Sequence, residues 1–575
     1  MKRLKNLPFF MVGVSILHLV SVWTASAATQ TEEIQIIRHV EDPRLDQVRS
    51  AKQIHSRWQE LTQERFDNTK SPNVFLLEQE GGIGEVDRET PPTETNMRKS
   101  WEPYSGDLSW SHAAHLANRT LIGARFEEIE SAVGLGAQAA VQMRLASQPA
   151  IPAPGPWATE PVPSWNSLTD AEQDSLVDAY AERGEILRMW WVEQLVNNQV
   201  GITETMVHFW HDHFANELGE VFFPQAMYLQ NQQFRDNATG NFRDLVRNVA
   251  KSPAMLIYLD GWSNTRWDPN ENFSRELMEL FTMGEGNYNQ VDVVEAAKAC
   301  TGWSTDGRDV FFTPDHFDPG QKTILGQTGN WDMDDLIDII FEQEATAEFL
   351  ARKLFRWFID DTPQEYQVSS LAELIRVHDY EMAPILEAML SSEIFMHVHQ
   401  YKGSIIRDGV DIYAGQLRRF HTVGYTPTVD MMAFQTEWTH WQMWDYGHML
   451  LDPPSVAGWP GHRNWINTYT LPVRKDFSVS ILTGGWGEEQ SLGFALDVIG
   501  ESMRFTNPND PNQLIDDLAL LCLGHKPTDL IRESMVEELL QGAAPYDWSI
   551  YLPDAEQRLV DLYRYVMRLP DYQLK

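Results

Sequence analysis

Three histidines with an acid after them crowd into the stretch "MVHFWHDHFANE" at residues 206–217, as His208, His211, His213 and then Glu217. Imidazole nitrogens and carboxylates are the ligands of zinc-like metals and the proton carriers of acid–base catalysis, so the stretch poses a choice between a metal site, a catalytic site and a packed helix. A helix turns by about 100° per residue. On such a helix Met206, Phe209, Trp210 and Phe214 share an apolar arc with His213 at its middle, while Glu204, His208 and Asp212 form the polar face and His211 sits on the border. His213 is therefore predicted to be buried, and a buried imidazole needs a hydrogen-bond partner. The plain reading makes it a core histidine bonded to a carboxylate or carbonyl, and makes His208 a solvated polar-face residue. His211 and His213 stand roughly 200° apart, which is awkward for chelating one ion from a regular helix. "HDHFANE" also has the H-x-H-x3-E spacing of cupin strands, but Thr205 occupies the position of the cupin glycine and no second histidine motif follows. No H-E-x-x-H zinc-protease motif is present.

A second group of chemically capable residues lies in "DPNENFSRELMELFTMG". Asp268 is positioned to cap a helix, Pro269 suits its first turn, Glu271 closes a capping box and Gly284 stops it. Phe273, Leu277, Leu280 and Phe281 share the apolar side, and Glu271, Arg275 and Glu279 step along the other at spacing four, with Glu276 between them. The bland reading is a ladder of surface ion pairs worth a few tenths of a kcal/mol each. The functional reading turns that face toward the histidine helix. His211, His213 and Glu271 would then ligate a divalent metal, while Glu276 and Glu279 act as acid and base beside Arg275. "HFDPGQKTILG" contributes Lys322 as a further polar candidate, but the G-x4-G-K-[ST] spacing of a phosphate loop is missing. Trp438, Trp441 and Trp444, three apart, fit core packing better than a sugar-stacking stripe.

The elements that must position these groups read as helices. Capped, helix-period segments recur at "NQVDVVEAAKACTG", "DMDDLIDIIFEQEATAEFLARKLFRWF", "SLAELIRVHDYEMAPILEAMLSS" and "PNQLIDDLALLCLG", whereas alternating strand patterns are scarce. The expected fold class is mostly α, a large multi-helix domain over residues 101–575 with long loops and little or no sheet. The proline-dense "ASQPAIPAPGPWATEPVPSW" at 146–165 is one such loop. Residues 29–100 are polar and end in a Gly/Pro/Thr-rich run, which predicts a partly disordered arm and linker. Residues 1–28 carry Lys2, Arg3 and Lys5 before an apolar run, then "ASA" at 25–27, the pattern of a cleaved secretory signal peptide. The expected location is outside the cytoplasm, periplasmic or extracellular. No later apolar run reaches the ~20 residues of a membrane span. A formal net charge of −38, with no basic run beyond the signal, excludes nucleic acid as a partner. Cys300 and Cys522, both in apolar settings, read as two buried thiols rather than a bridge.

Taken together and in order, "HAAHLANRTLIGAR", "LRMWWVEQLV", "FWHDHFANE", "GNFRDLVRNVAKSPAMLIYLDG", "NENFSRELMELFTMGEGNYNQVDVVEAAKACTGW" and "DPPSVAGWPGHRNWI" resemble the bacterial domain of unknown function family 1800, over about residues 101–570. The resemblance implies an exported helical protein with no established activity, often encoded beside a second exported family that resembles sulfatases and phosphatases. The family's recurrent polar positions map onto His211, His213, Asn270, Glu271, Arg275, Glu276, Glu279, Asp318, Gly320 and Lys322. Where the family usually places histidine directly before the aspartate, this chain has Phe317, with His316 before it. Two functions of different kind are carried forward: an exported enzyme with a polar, metal-binding cleft, and a non-catalytic exported scaffold for a sulfatase-like partner.

Overall fold

The computed structural model describes residues 101–146, 150–199, 201–420, 429–486, 490, 491 and 495–575. The signal peptide and the arm expected over 1–100 lie outside the described residues. The rest is mostly helical, as the capping signals predict, and strands occur only as two-stranded antiparallel pairs among the described residues. One such pair joins Trp303–Thr305 to Val310–Phe312, and another joins Lys322–Ile324 to Gln327–Gly329. Apolar side chains from Leu108 to Tyr572 form one continuous buried cluster, so the described part has a single core. None of its helices is long and apolar enough to cross a membrane.

Local chemistry sets the helix ends. Asn289, Asp332 and Asp510 each accept hydrogen bonds from the first-turn amides of Gln290–Ala299, Met333–Phe341 and Pro511–Leu523. The last of these stops at Gly524, which takes the left-handed conformation (φ +75°) that closes a helix cheaply only for glycine. The acidic helix spans Glu271–Glu279 and starts later than expected, because Asn270 rather than Asp268 caps it, its side chain accepting from Asn272 N–H. Asp268 is spent in a turn with Thr265, with Asp268 N–H donating to the Thr265 carbonyl at 3.0 Å. The described residues of the proline-dense segment, from 150 onward, run as a loop with short 3-10 turns at Pro156–Ala158 and Trp165–Ser167.

Two packings position the candidate site. The histidine helix, Thr203–His213, lies against Pro224–Asp236, and the long helix Asp170–Glu193 lies against Val429–Tyr446. The end of the chain returns beneath residues 405–411: Lys575 N–H donates to Ile405 O at 2.8 Å, Arg407 N–H donates to Gln573 O at 2.9 Å, and the Lys575 ammonium pairs with Asp411 at 2.6 Å.

A histidine–aspartate cluster as candidate metal centre

The histidine helix is closed on every side. From Thr203 to His213 every residue but Asp212 is buried, including the face the sequence assigns to solvent. That polar face is tolerated because other segments satisfy each group on it. Glu204, fully buried, accepts from Arg235 at 2.9 Å and 3.0 Å and from Trp191 Nε1 at 3.2 Å. Asp212 Oδ1 accepts from Trp459 N–H at 2.9 Å. His211 Nε2 accepts from Leu451 N–H at 3.1 Å, and His213 Nε2 donates to the Phe281 carbonyl at 2.9 Å. Burial drives both rings down to a pKa of about 3. For His211 the neighbouring His208 and His448 add to the effect; for His213 Lys353 adds to it and the Phe281 carbonyl opposes it. Both are neutral core imidazoles.

His208, one turn after Glu204, meets two residues remote in sequence. Its Nε2 lies 3.3 Å from His448 Nε2 and 3.8 Å from Asp408 Oδ2, and Asp408 Oδ1 lies 4.0 Å from His448 Nδ1. Asp408 caps the short helix Gly409–Ile412, accepting from Asp411 N–H at 2.8 Å, which fixes its carboxylate. His448 approaches closely because residue 409 is glycine: a Cβ there would stand 2.7 Å from His448 Cβ and 2.9 Å from Tyr446 Cδ1. Trp357 meets His208 edge-on at 5.1 Å, Trp459 lies 4.5 Å from the His448 ring, and Trp465 stacks on it at 4.7 Å. These rings exclude water and hold the imidazoles in place. His208 and His448 side chains are 4 % and 1 % exposed and Asp408 is 13 % exposed, so the cluster opens toward Asp408.

Among the described residues, His208, Asp408 and His448 are the group of histidine, cysteine and acidic side chains whose ligand atoms lie within 4.8 Å of one another. Two nitrogens bound tetrahedrally to zinc at ~2.0–2.1 Å stand about 3.3–3.4 Å apart, which is the separation His208 and His448 show. The proton arrangement adds a constraint. Gly409 N–H donates to His448 Nδ1 at 3.1 Å, so the neutral ring carries its proton on Nε2 and directs it at His208 Nε2. Burial, reinforced by His208, holds His448 well below the usual histidine range. For His448 to ligate through Nε2, its proton must move to Nδ1 and the Gly409 amide must give way.

The ligand set expected from sequence is not brought together. His211 and His213 bond to separate backbone groups, and Glu271, with 42 % of its side chain exposed, pairs with Gln290 at 2.6 Å and Arg275 at 3.4 Å. The histidine helix does reach the acidic segment, but at a carbonyl beyond the helix end and not at a glutamate. Glu279 accepts from the Tyr288 hydroxyl, and Glu276 is half-buried, its carboxyl pushed up first by burial and then by Glu279. Glu271, Arg275, Glu276 and Glu279 thus lie half-exposed along the helix, with Glu271–Arg275 as the one ion pair among them. Lys322 is buried. Its ammonium donates to the carbonyls of Asp318 at 2.6 Å and Gly320 at 3.0 Å and lies 5.0 Å from the Phe317 ring, an arrangement that pins a turn. Cys300 and Cys522 are both buried and free, as expected. Of the clustered residues only His208 belongs to the histidine stretch, where it reads as solvated. Asp408 in "IIRDGV" carries no ligand signal in the sequence, and no spacing connects it to His448 in "DYGHML".

The model of the family described as "Protein of unknown function (DUF1800)" matches residues 115–574. The chain belongs to that family. No curated protein and no solved structure matches it. In this family member the matched segment "DPPSVAGWPGHRNWI" wraps the histidine helix, supplying Trp459 to the cluster and the Trp459 amide to Asp212. Gly458 (φ +83°) makes that turn passable, since a Cβ would stand 2.4 Å from the Asp212 carbonyl oxygen.

Proposed function

We propose that this DUF1800 protein is an exported metalloprotein in which His208, Asp408 and His448 hold one divalent transition metal, and that the metal is catalytic. The observation that carries the reading is the convergence of two imidazoles and a carboxylate from three remote segments at ligand separations. Imidazole donors favour zinc and its neighbours over magnesium or calcium. Three protein ligands with a fourth position free is the arrangement of catalytic zinc, which lowers the pKa of bound water to about 7 and supplies a nucleophile for hydrolysis. Asp408 is the ligand closest to solvent, and water and substrate enter on its side. The signal-like residues 1–28 support export.

The test is elemental analysis of the mature chain, loaded with zinc and desalted, beside His208→Ala and His448→Ala variants whose helical circular dichroism is unchanged. The expected result is about one zinc per wild-type chain and a loss of at least tenfold in either variant. A wild type that retains under about a tenth of an equivalent refutes the reading.

A second reading keeps the cluster metal-free. The Gly409 amide on His448 Nδ1 favours it, because a ligating histidine ordinarily donates from its second nitrogen. The cluster is then a hydrogen-bonded structural triad within an exported scaffold for a sulfatase-like partner, and co-purification of that partner with metal-free protein is its signature.

A further inference from the structure

A cavity of about 310 Å³, distinct from the histidine–aspartate cluster, lies between the helix Asp170–Glu193 and the turn at residues 218–222. It is at the small end of the ~300–1,000 Å³ typical of ligand pockets. One helical stripe, Val177, Tyr180, Ala181, Gly184, Glu185 and Arg188, forms one wall. Leu218, Gly219 and Phe222 form the other, and Glu182 is exposed on the helix at the rim. Phe222 holds an uncommon positive φ of 68°, which a bulky residue keeps only when its surroundings over-determine it, and its ring meets Tyr180 edge-on at 5.4 Å.

The charges around the cavity are mostly paired within its walls, and Arg183, beside the lining, stacks over the Tyr180 ring at 5.6 Å. Arg188, its one lining cation, is consumed by the wall: it donates to Glu185 at 2.5 Å, to the Leu450 carbonyl at 3.1 Å and to Asp452 at 3.4 Å. Glu185 also pairs with His440 at 2.9 Å. Burial pushes the Glu185 carboxyl up, but His440 and Arg188 together outweigh it, so the group is ionised. Glu182 adds a second carboxylate at the rim. Glu217 and Glu220 lie on the segment that leads into the far wall, and with Asp452 they raise the nearby Tyr258 hydroxyl, whose largest influence is burial. The cavity therefore combines apolar and aromatic walls with a free-standing rim carboxylate, Glu182, and a paired one, Glu185, in the wall.

We propose that this cavity binds a small organic cation, an ammonium group carried on an apolar or aromatic body. The apolar body sits against Val177, Leu218 and Phe222, and the ammonium lies toward Glu185 and Glu182, where a carboxylate ligand is repelled and a neutral one gains no charge pairing with Glu182 at the rim. The inference does not rest on the metal reading, since no lining residue is a proposed ligand.

The test is calorimetric titration of the mature chain at low salt with phenethylammonium, 2-phenylethanol and 3-phenylpropionate, three probes of one shape and different charge. The expected result is a Kd of about a millimolar or tighter for the ammonium, at least tenfold weaker binding of the alcohol and none of the carboxylate, with affinity falling as salt is added. Glu185→Gln should weaken the ammonium at least tenfold. Because Glu185 also braces Arg188 and His440, two rim variants that leave this network intact accompany it: Glu182→Gln, expected to weaken binding severalfold, and Ala181→Trp, expected to fill the cavity and abolish it. Equal binding of alcohol and ammonium, binding that survives Ala181→Trp, or no heat with the ammonium up to about 10 mM each overturns the proposal.

Discussion

Glu204→Gln is the sharpest probe of how the histidine helix is held. Glu204 is fully buried, and the Arg235 side chain that binds it through Nε and a terminal nitrogen is 6 % exposed. Glutamine keeps the volume and one acceptor but deletes the charge, and it turns an amide N–H₂ toward a buried guanidinium that also lies 5.2 Å from the Trp190 ring. Breaking a buried pair by removing one partner costs ~3–5 kcal/mol, against ~0–1 kcal/mol for an exposed pair. Arg235→Met in the same chain removes the stranded cation, and the double variant should recover much of the loss. Urea unfolding at pH 7, followed by tryptophan fluorescence, reads both variants. A cost for Glu204→Gln below about 1 kcal/mol would refute the reasoning. It would mean that this face of the helix is wet, and His208, four residues on along the same face, would lose its claim to burial as well.

Further outcomes follow from neighbouring groups. Gly409→Ala should cost about 1–3 kcal/mol by forcing the 409 segment off His448, read by the same urea unfolding. The pH dependence of thermal unfolding has two opposed parts. His211 and His213, at about 3 when folded against 6.5 for the free group, bind fewer protons native than unfolded, so their stability is complete above pH 6.5 and is lost as pH falls toward 3; at pH 5 each costs ~2 kcal/mol. Glu501, raised to about 7 chiefly by burial, with Arg125 opposing and Asp497 adding, works the other way: its contribution is complete below pH 4.5 and is lost as pH rises through 7, so Glu501→Gln should flatten the fall in melting temperature between pH 5 and 8. Cys300 and Cys522 should resist a thiol reagent until the chain unfolds, since burial lifts both thiols, Cys522 to about 12; reaction of either in native buffer would contradict the packing.

The helices were legible because their ends are written in local chemistry. Asn289, Asp332, Asp510 and Gly524 do their work within a few residues of themselves, and no distant segment can change it. Even the misplaced start of the acidic helix is a local competition, which Asn270 wins over Asp268. On that helix spacing predicts the Glu271–Arg275 pair that forms, while the second rung to Glu279 is lost to partners outside the helix, Gln290 for Arg275 and Tyr288 for Glu279. His208 was not readable in this way. Assigning a polar arc to solvent assumes that nothing polar will arrive to cover it, and here Arg235 covers Glu204 while Asp408 and His448 cover His208. Those partners lie some 30 to 240 residues away in the chain, beyond the reach of any periodicity.

The division of labour among the three histidines follows from where their second partners come from. His211 takes the Leu451 amide, Asp212 takes the Trp459 amide, and the Leu218 amide just past the helix is taken by the Leu451 carbonyl, so the segment that follows His448 is laced to the end of the histidine helix that follows His208. His213 ties the other face of the helix to the Phe281 carbonyl. These bonds fix the rotation of the helix, and the rotation decides that His208 faces His448 and Asp408. The two histidines named as candidate ligands from the sequence are therefore the ones that aim the third. His211→Gln, which loses the aromatic imidazole against Trp191 and Trp459, should accordingly weaken zinc retention through the position of His208 and not through a lost metal bond, and zinc that is retained should still depend on His448. Full zinc retention in His211→Gln together with its loss in His448→Ala would show that the cluster holds its geometry without that brace.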